Sequence, residues 1–198
     1  MVPREKMKDV RIVLASKSPR RRELLRELAP EFEIIVAEVD EDLDEGIAPE
    51  RGVEILALRK GAAVAKDTPD ALVISSDTLV ELDGVPLGKP RDVEEAKRML
   101  SALSGNEHRV HTGVAVHYRD RVLSGVATTA VIFREIDESE IEEYIRTGEP
   151  MDKAGAYGIQ GEGGKFVSEI RGDFDTVVGL SMKLTRELVS SILEVCRE

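Results

Sequence analysis

The sequence predicts an α/β chain built on a mixed sheet, and three features carry that reading. Short apolar runs of strand length alternate with stretches whose apolar residues recur at helical spacing. Elsewhere two strand-like runs follow one another directly, as in a meander. Asp83-Gly84, with apolar residues on either side, is the strongest short hairpin signal in the chain.

Taken in order, Val10–Ala15 is an apolar strand, and Pro19 opens a helix to about Leu28 whose apolar face holds Leu24, Leu25 and Leu28. Phe32–Val39 reads as a second strand. Pro49 to Lys66 is helical, with Val53, Leu56, Ala57, Lys60 and Val64 at near-helical spacing. Ala71–Ile74 is a strand core that turns polar at Ser75-Ser76-Asp77-Thr78. Asp92 with Glu95 three residues on is a capping signature, and Asp137 with Glu140 repeats it for a helix to about Arg146. Arg109–His117 and Val122–Phe133 read as strands joined at Arg119-Asp120. A glycine-rich stretch runs from Gly155 to Gly164, Phe166–Ile170 is a short strand, and Leu180 to Val195 a closing helix.

Composition narrows the function classes. The 198 residues are 41% hydrophobic and 34% charged, with 39 acidic against 28 basic side chains and a formal net charge of −11. That balance argues against polymeric nucleic acid as a partner, which needs a broad basic surface. It leaves small anions open, because a local site can be positive within an acidic molecule. No apolar run approaches the ~20 residues of a membrane span, so no membrane partner is expected. The single cysteine, Cys196, excludes an internal disulfide and suits a reducing compartment, here taken as cytoplasmic. No oligomeric state is readable; a homodimer is the expectation, since two-fold dimers are the commonest soluble oligomers.

Chemistry concentrates first at Ser16-Lys17-Ser18-Pro19-Arg20-Arg21-Arg22. Ser18 is a good N-cap and Pro19 suits the first helical position. Three arginines then meet the positive end of the helix dipole, each unfavourable by ~0.3–1 kcal/mol when exposed. A bound anion would reverse that cost, and a triphosphate is the obvious one. The alternative is a solvated turn paired to Glu23 or Glu27. Asp77 is expected at the carboxyl end of its apolar strand, where open α/β sheets place ligands. With Asp83-Gly84 as the turn, Leu82 pairs with Val85 and Thr78 with Lys89, which puts Lys89 beside the neighbour of Asp77. Glu41 and Lys60 taken alone read as solvated charges. His108 and His111 differ by an odd number and point to opposite faces of a strand; with His117 they read as structural or exposed rather than as a metal set.

Several ordered motifs give the chain a strong resemblance to the Maf family. They are Leu14-Ala15-Ser16-Lys17-Ser18-Pro19-Arg20-Arg21, Ser76-Asp77-Thr78, Gly88-Lys89-Pro90, Leu103-Ser104-Gly105, the run from Glu149 to Gly161, and Gly172-Asp173-Phe174. The resemblance implies one domain over residues 1–198, an elongated α/β fold of two lobes around a central cleft, similar to the inosine-triphosphate pyrophosphatase fold. It implies hydrolysis of a nucleoside triphosphate between its α and β phosphates, dependent on Mg²⁺ or Mn²⁺, as housecleaning of nucleotide pools. The general base falls on Asp77, and the phosphate-binding and cleft residues on Ser16, Arg20, Arg21, Glu41, Lys60 and Lys89. Glu41 and Asp77 are the expected metal ligands. The pattern around Ala154-Gly155-Ala156-Tyr157-Gly158-Ile159-Gln160-Gly161 resembles the dTTP/UTP branch, which makes Arg20, Thr78 and Gln160 the specificity positions. Gly179-Leu180-Ser181 stands where the family usually has Gly-Leu-Pro.

The residue types suit that chemistry. Cations stabilise the charge that develops on a pyrophosphate leaving group. Hard carboxylate oxygens favour Mg²⁺ or Mn²⁺. The amide of Gln160 can donate and accept, matching the O4 and N3–H edge shared by uracil and thymine; the alternative is a solvent-facing tip of a turn-rich connection. Two rival classes remain: a regulatory protein that binds nucleotide without turnover, since the family has been linked to septum formation, and a purine-directed or general phosphatase.

Overall fold

A computed structural model describes Met7 and residues 9–196 of the chain. Its described residues fall into two compact units. The first contains the residues up to Asp77, Thr112–Ala127 and those from Gly179 on. The second contains Thr78–His111 and Thr128–Val178. Among the described residues, seven strands form one mixed sheet: β1 (Ile12–Leu14), β2 (Glu33–Ile34), β3 (Leu72–Leu82), β4 (Val85–Leu87), β5 (Glu107–Tyr118), β6 (Arg121–Phe133) and β7 (Val167–Arg171). Their order is β2-β1-β3-β5-β6-β7, with β4 paired to β3.

In the first unit, β1 runs parallel to β3 with Ile12 opposite Leu72, Val13 opposite Val73 and Leu14 opposite Ile74. Both strands are apolar at every position there because both faces are covered. Ile12, Leu14, Leu72 and Ile74 pack with Leu25 of α1 (Pro19–Arg26) and with Val189 and Ile192 of α6 (Met182–Val195). Val13, Ala15, Ala71 and Val73 pack on the other side with Val64 of α2 (Pro49–Ala65). Each fully buried Leu or Ile contributes roughly 1.5–3 kcal/mol. Ser181 caps α6 by accepting from the Leu184 N–H at 3.4 Å. The serine standing in place of the usual proline therefore starts the closing helix, two residues later than the sequence suggests.

The second unit packs α3 (Val93–Leu103) and α4 (Glu138–Arg146) over its strand segments, burying Leu100, Leu103, Val131, Ile141 and Tyr144. Phe133 meets Tyr157 edge-on at 4.7 Å between ring centroids, and a short helix, α5 (Phe174–Val178), ends the unit. Both predicted caps form: Asp92 accepts from the Glu95 N–H at 2.7 Å, and Asp137 and Glu140 make a reciprocal capping box. Asp83-Gly84 is the hairpin turn, with φ of 51° and 80°, and Leu82 pairs with Val85 as expected.

Three expectations are corrected. The second strand shrinks from Phe32–Val39 to Glu33–Ile34, and the strand placed at Phe166–Ile170 is Val167–Arg171, Phe166 closing a 3-10 turn instead. Asp77 does not end its strand: β3 continues to Leu82, so Asp77 lies mid-strand. The polar run is tolerated because partners wait for it, the buried Ser75 hydroxyl donating to the Ala57 carbonyl at 2.7 Å and Ser76 to that of Gly179 at 2.9 Å. Among the described residues, no helix is long and apolar enough to cross a membrane.

Candidate active site

The first unit gathers Ser16, Arg20, Arg21, Glu41, Lys60 and Asp77. Ser18 caps α1, its hydroxyl accepting from the Arg21 N–H at 3.4 Å, with Pro19 in the first turn and no acidic residue beside it. Arg21 does not lie out in solvent. Its Nε donates to the Gly179 carbonyl at 2.7 Å and its Nη1 to Ser16 Oγ at 3.3 Å. Glu27 instead faces Arg186 at 3.6 Å. The Ser16 hydroxyl also accepts from the Ser18 N–H at 3.2 Å, so one oxygen ties the loop to the guanidinium. The Gly179 carbonyl, which takes both Arg21 and Ser76, is a second such knot.

Burial pushes the Arg21 pKa down from its ordinary value. The charges of Asp77 and Glu41 push it back up, and that of Arg20 adds to the fall. An arginine keeps its proton in either case. The significance is spatial: Arg20, Arg21, Glu41 and Asp77 share one electrostatic neighbourhood. Lys60, reaching out from α2, completes it. Its Nζ lies 2.6 Å from Asp77 Oδ1 and 2.8 Å from Glu41 Oε1. Lys60 and Asp77 are 19% and 17% exposed, so this pair is less screened than a surface ion pair, whereas Glu41 is 63% exposed. Here three cations outnumber two carboxylates in a molecule of net charge −11. Such a set can hold a multiply charged anion. The two carboxylates converge on the Lys60 ammonium, and their hard oxygens are the donor type that a Mg²⁺- or Mn²⁺-type ion takes.

Thr78, Lys89 and Gln160 lie in the second unit. Thr78 follows Asp77 in β3 and is half-buried, on the opposite face by strand alternation. The antiparallel pairing of β3 with β4 stops at Val80 and Leu87, so the expected Thr78–Lys89 pair does not form. The chain leaves the ladder at Gly88, whose carbonyl accepts from the Gly155 N–H at 3.0 Å. Lys89 is exposed and lines a pocket of about 420 Å³ with Pro86, Leu87, Arg91, Arg98 and Met99. Gln160 is exposed on a turn closed by the Gly161 N–H to the Gly158 carbonyl at 3.2 Å.

Sequence reasoning passed over two contributors. Ser76 and the Gly179 carbonyl position Arg21 and β3; a serine inside an apolar strand is the only local sign, since a buried hydroxyl needs an acceptor. In the second unit Glu81 Oε2 meets His111 Nε2 at 2.7 Å, while His111 Nδ1 meets Thr128 Oγ1 at 2.8 Å. A carboxylate only accepts, so Nε2 carries a proton. Glu81 Oε1 also takes the Gly84 N–H of the hairpin turn at 3.1 Å, which gives this pair a structural tie to the turn. His108, buried against Tyr157 Oη at 2.8 Å, is structural too.

Known proteins resemble the chain along most of its length. A dTTP/UTP pyrophosphatase of Bacillus velezensis is 49% identical over 175 residues, which cover 88% of this chain and 93% of that protein. A dTTP/UTP pyrophosphatase of Bacillus cereus is 47% identical over 186 residues, covering 93% and 97%. Among solved structures, the Staphylococcus aureus Ham1 protein superposes with a TM-score of 0.52 at 17% identity, covering 94% of this chain and 98% of that one. The α/β fold on a mixed sheet is thereby borne out, shared with that protein. The profile of the family described as Maf-like protein matches residues 11–192. With that match over almost the whole length and relatives nearly half identical to it, this chain belongs to the Maf-like proteins.

Proposed function

We propose that the chain hydrolyses dTTP and UTP to the nucleoside monophosphate and pyrophosphate with the help of Mg²⁺ or Mn²⁺. The relatives' names support the substrates. The observation that carries the chemistry is Lys60 Nζ between Asp77 and Glu41, next to the arginine-bearing start of α1.

In this reading the water oxygen forms a bond to phosphorus as the bridging P–O bond between the α and β phosphates breaks. Asp77 accepts the water proton, and pyrophosphate departs with the bridging oxygen. Arg20, Arg21 and Lys60 offset the negative charge growing on that leaving group, and Ser16 holds the Arg21 guanidinium in place. Glu41 and Asp77 would hold the divalent ion, which when bound polarises phosphate oxygens and lowers the pKa of water. Lys60 keeps those two carboxylates facing one point. Two further assignments complete the proposal: Lys89 for phosphate charge, and Gln160 and Thr78 of the second unit, with Arg20 of the first, for the pyrimidine.

A product-resolved panel of dTTP, UTP, CTP, dITP and 7-methyl-GTP, with and without Mg²⁺, tests the reading. Equal amounts of monophosphate and pyrophosphate from dTTP and UTP are expected, and chelation should abolish them. Release of orthophosphate alone, or tight nucleotide binding without any product, would reject it.

A further inference from the structure

The glycine-rich stretch is not a loose connection. Its turn, Gly158 to Gly161, is gripped on both sides by two side chains from one short part of the second unit. On the incoming side the Gly158 N–H donates to Tyr144 Oη at 3.1 Å. On the outgoing side the Glu162 N–H donates to Glu149 Oε2 at 3.0 Å and the Gly163 N–H to Glu149 Oε1 at 3.2 Å. Tyr144 Oη donates to Glu149 Oε1 at 2.8 Å, which joins the two grips into one. Tyr144 is fully buried and ends its reach in this network, while Gln160 stands exposed at the tip.

The glycines are there for closeness to this carboxylate and phenol. A Cβ at Gly161 would lie 2.3 Å from Glu149 Oε2, and one at Gly163 would lie 2.6 Å from Tyr144 Oη. No side chain fits at either place without displacing the grip. The short 3-10 helix Glu162–Phe166 has no capping side chain of its own at Gly161. Glu149, thirteen residues upstream, serves its first N–H groups instead. Burial pushes the Glu149 carboxyl up, but the Tyr144 hydroxyl, the N–H groups of Glu162 and Gly163, and the Lys153 charge outweigh it and hold the group below the usual carboxylate range. The grip is therefore a carboxylate at neutral pH, and bonds of that kind are the stronger, better directed ones.

We propose that Glu149 is the positioning residue of the Gln160 turn and, through it, a determinant of which pyrimidine is accepted; this rests on the reading of Gln160 as the group that meets the base edge. A hydrogen-bonding site discriminates only when its donor and acceptor are held in place, because a mobile amide can turn to suit either base. UTP and CTP are the sharpest pair, since cytosine carries an amino donor where uracil carries O4.

The test compares kcat and KM for UTP and CTP in the wild type, Glu149→Ala, Glu149→Gln, Gln160→Ala and the Glu149→Ala/Gln160→Ala double variant. Glu149→Ala should lower the UTP-to-CTP preference in kcat/KM by about tenfold, mainly by raising KM for UTP. Glu149→Gln, which keeps one carbonyl acceptor, should recover part of it, and the double variant should lose no more than Gln160→Ala alone. A folded Glu149→Ala protein that keeps its preference, while Gln160→Ala loses it, overturns the positioning role and leaves the Gln160 reading intact. Losses that multiply in the double variant overturn it as well. A Gln160→Ala protein that keeps its preference overturns the Gln160 reading, and with it this proposal. If Glu149→Ala does not fold, Tyr144→Phe removes the oxygen common to both grips. It should shift the preference the same way by about threefold, and an unchanged preference there counts against the proposal equally.

Discussion

Lys60 holds two carboxylates with one ammonium group, and the two are not equivalent. Glu41 is mostly exposed, so its attraction to Lys60 is screened and adds little to stability. Asp77 is half-buried and held at 2.6 Å by a lysine that is itself half-buried. Replacing Asp77 by Asn keeps the size and one oxygen acceptor for Lys60 but removes the charge and the capacity to take a proton from water. Lys60 would still face Glu41, so no unpaired buried ammonium is created and the stability cost should be about 1 kcal/mol. Turnover should fall by about a hundredfold or more, the range for a lost general base. Pyrophosphate release alongside a thermal melt separates the two effects. A folded Asp77→Asn protein with undiminished release removes Asp77 from the mechanism.

Elements were readable wherever their signals are local. The start of α4 illustrates this: Asp137 Oδ1 accepts from the Glu140 N–H at 2.9 Å and from Ser139 Oγ at 2.6 Å, and Arg134 clamps the Glu140 carboxylate at 2.7 and 2.9 Å. Asp137→Ala should therefore cost about 0.5–2 kcal/mol in urea unfolding, with nucleotide turnover unchanged; loss of turnover in a stable variant would mean that α4 does more than support. The caps of α1, α3 and α4 and the Asp83-Gly84 turn were all legible for the same reason, each depending on neighbours a few residues away. The length of β3 was not. Ser75, Ser76 and Asp77 look like a strand end until their partners arrive from Ala57, Gly179 and Lys60, from 17 to 103 residues distant in the chain. The Thr78–Lys89 pairing failed similarly: the ladder ends at Val80 and Leu87, and Gly88 bonds to Gly155 instead. The clustering of Ser16, Arg21, Lys60 and Asp77 came from the order of family motifs, not from spacing. Glu149 carried no local sign beyond the glycines that follow it, whose purpose appears only when its carboxylate is seen against their N–H groups.

For the molecule as a whole, the direction of the pKa shifts predicts how stability follows pH. Burial holds His108 down to about 4 and also lowers His117. The unfolded chain takes up these protons near pH 6.5, whereas folded His108 does not until about pH 4. Between those values the unfolded state binds more protons, so stability is complete above pH 6.5 and is lost as pH falls toward 4. For His108, 2% exposed, a shift of that size corresponds to about 3 kcal/mol. The carboxylates continue the loss at lower pH, because Glu95, drawn down to about 2 by Arg91, and the depressed Asp137, Glu140 and Glu149 favour the folded state only while ionised. Buried Tyr144 and Tyr157 are both raised, which sets the opposite limit: stability should decline above about pH 10, where an unfolded tyrosine loses its proton. Urea unfolding at pH 7, 6 and 5 isolates the histidine step. His108→Gln should be less stable than the wild type at pH 7, having lost a fitted ring between Phe133 and Tyr157, yet lose less of its stability on going to pH 5. An equally steep fall in that variant would transfer the acid sensitivity away from His108 and leave half-buried His117, at the end of β5, as the group that answers to pH.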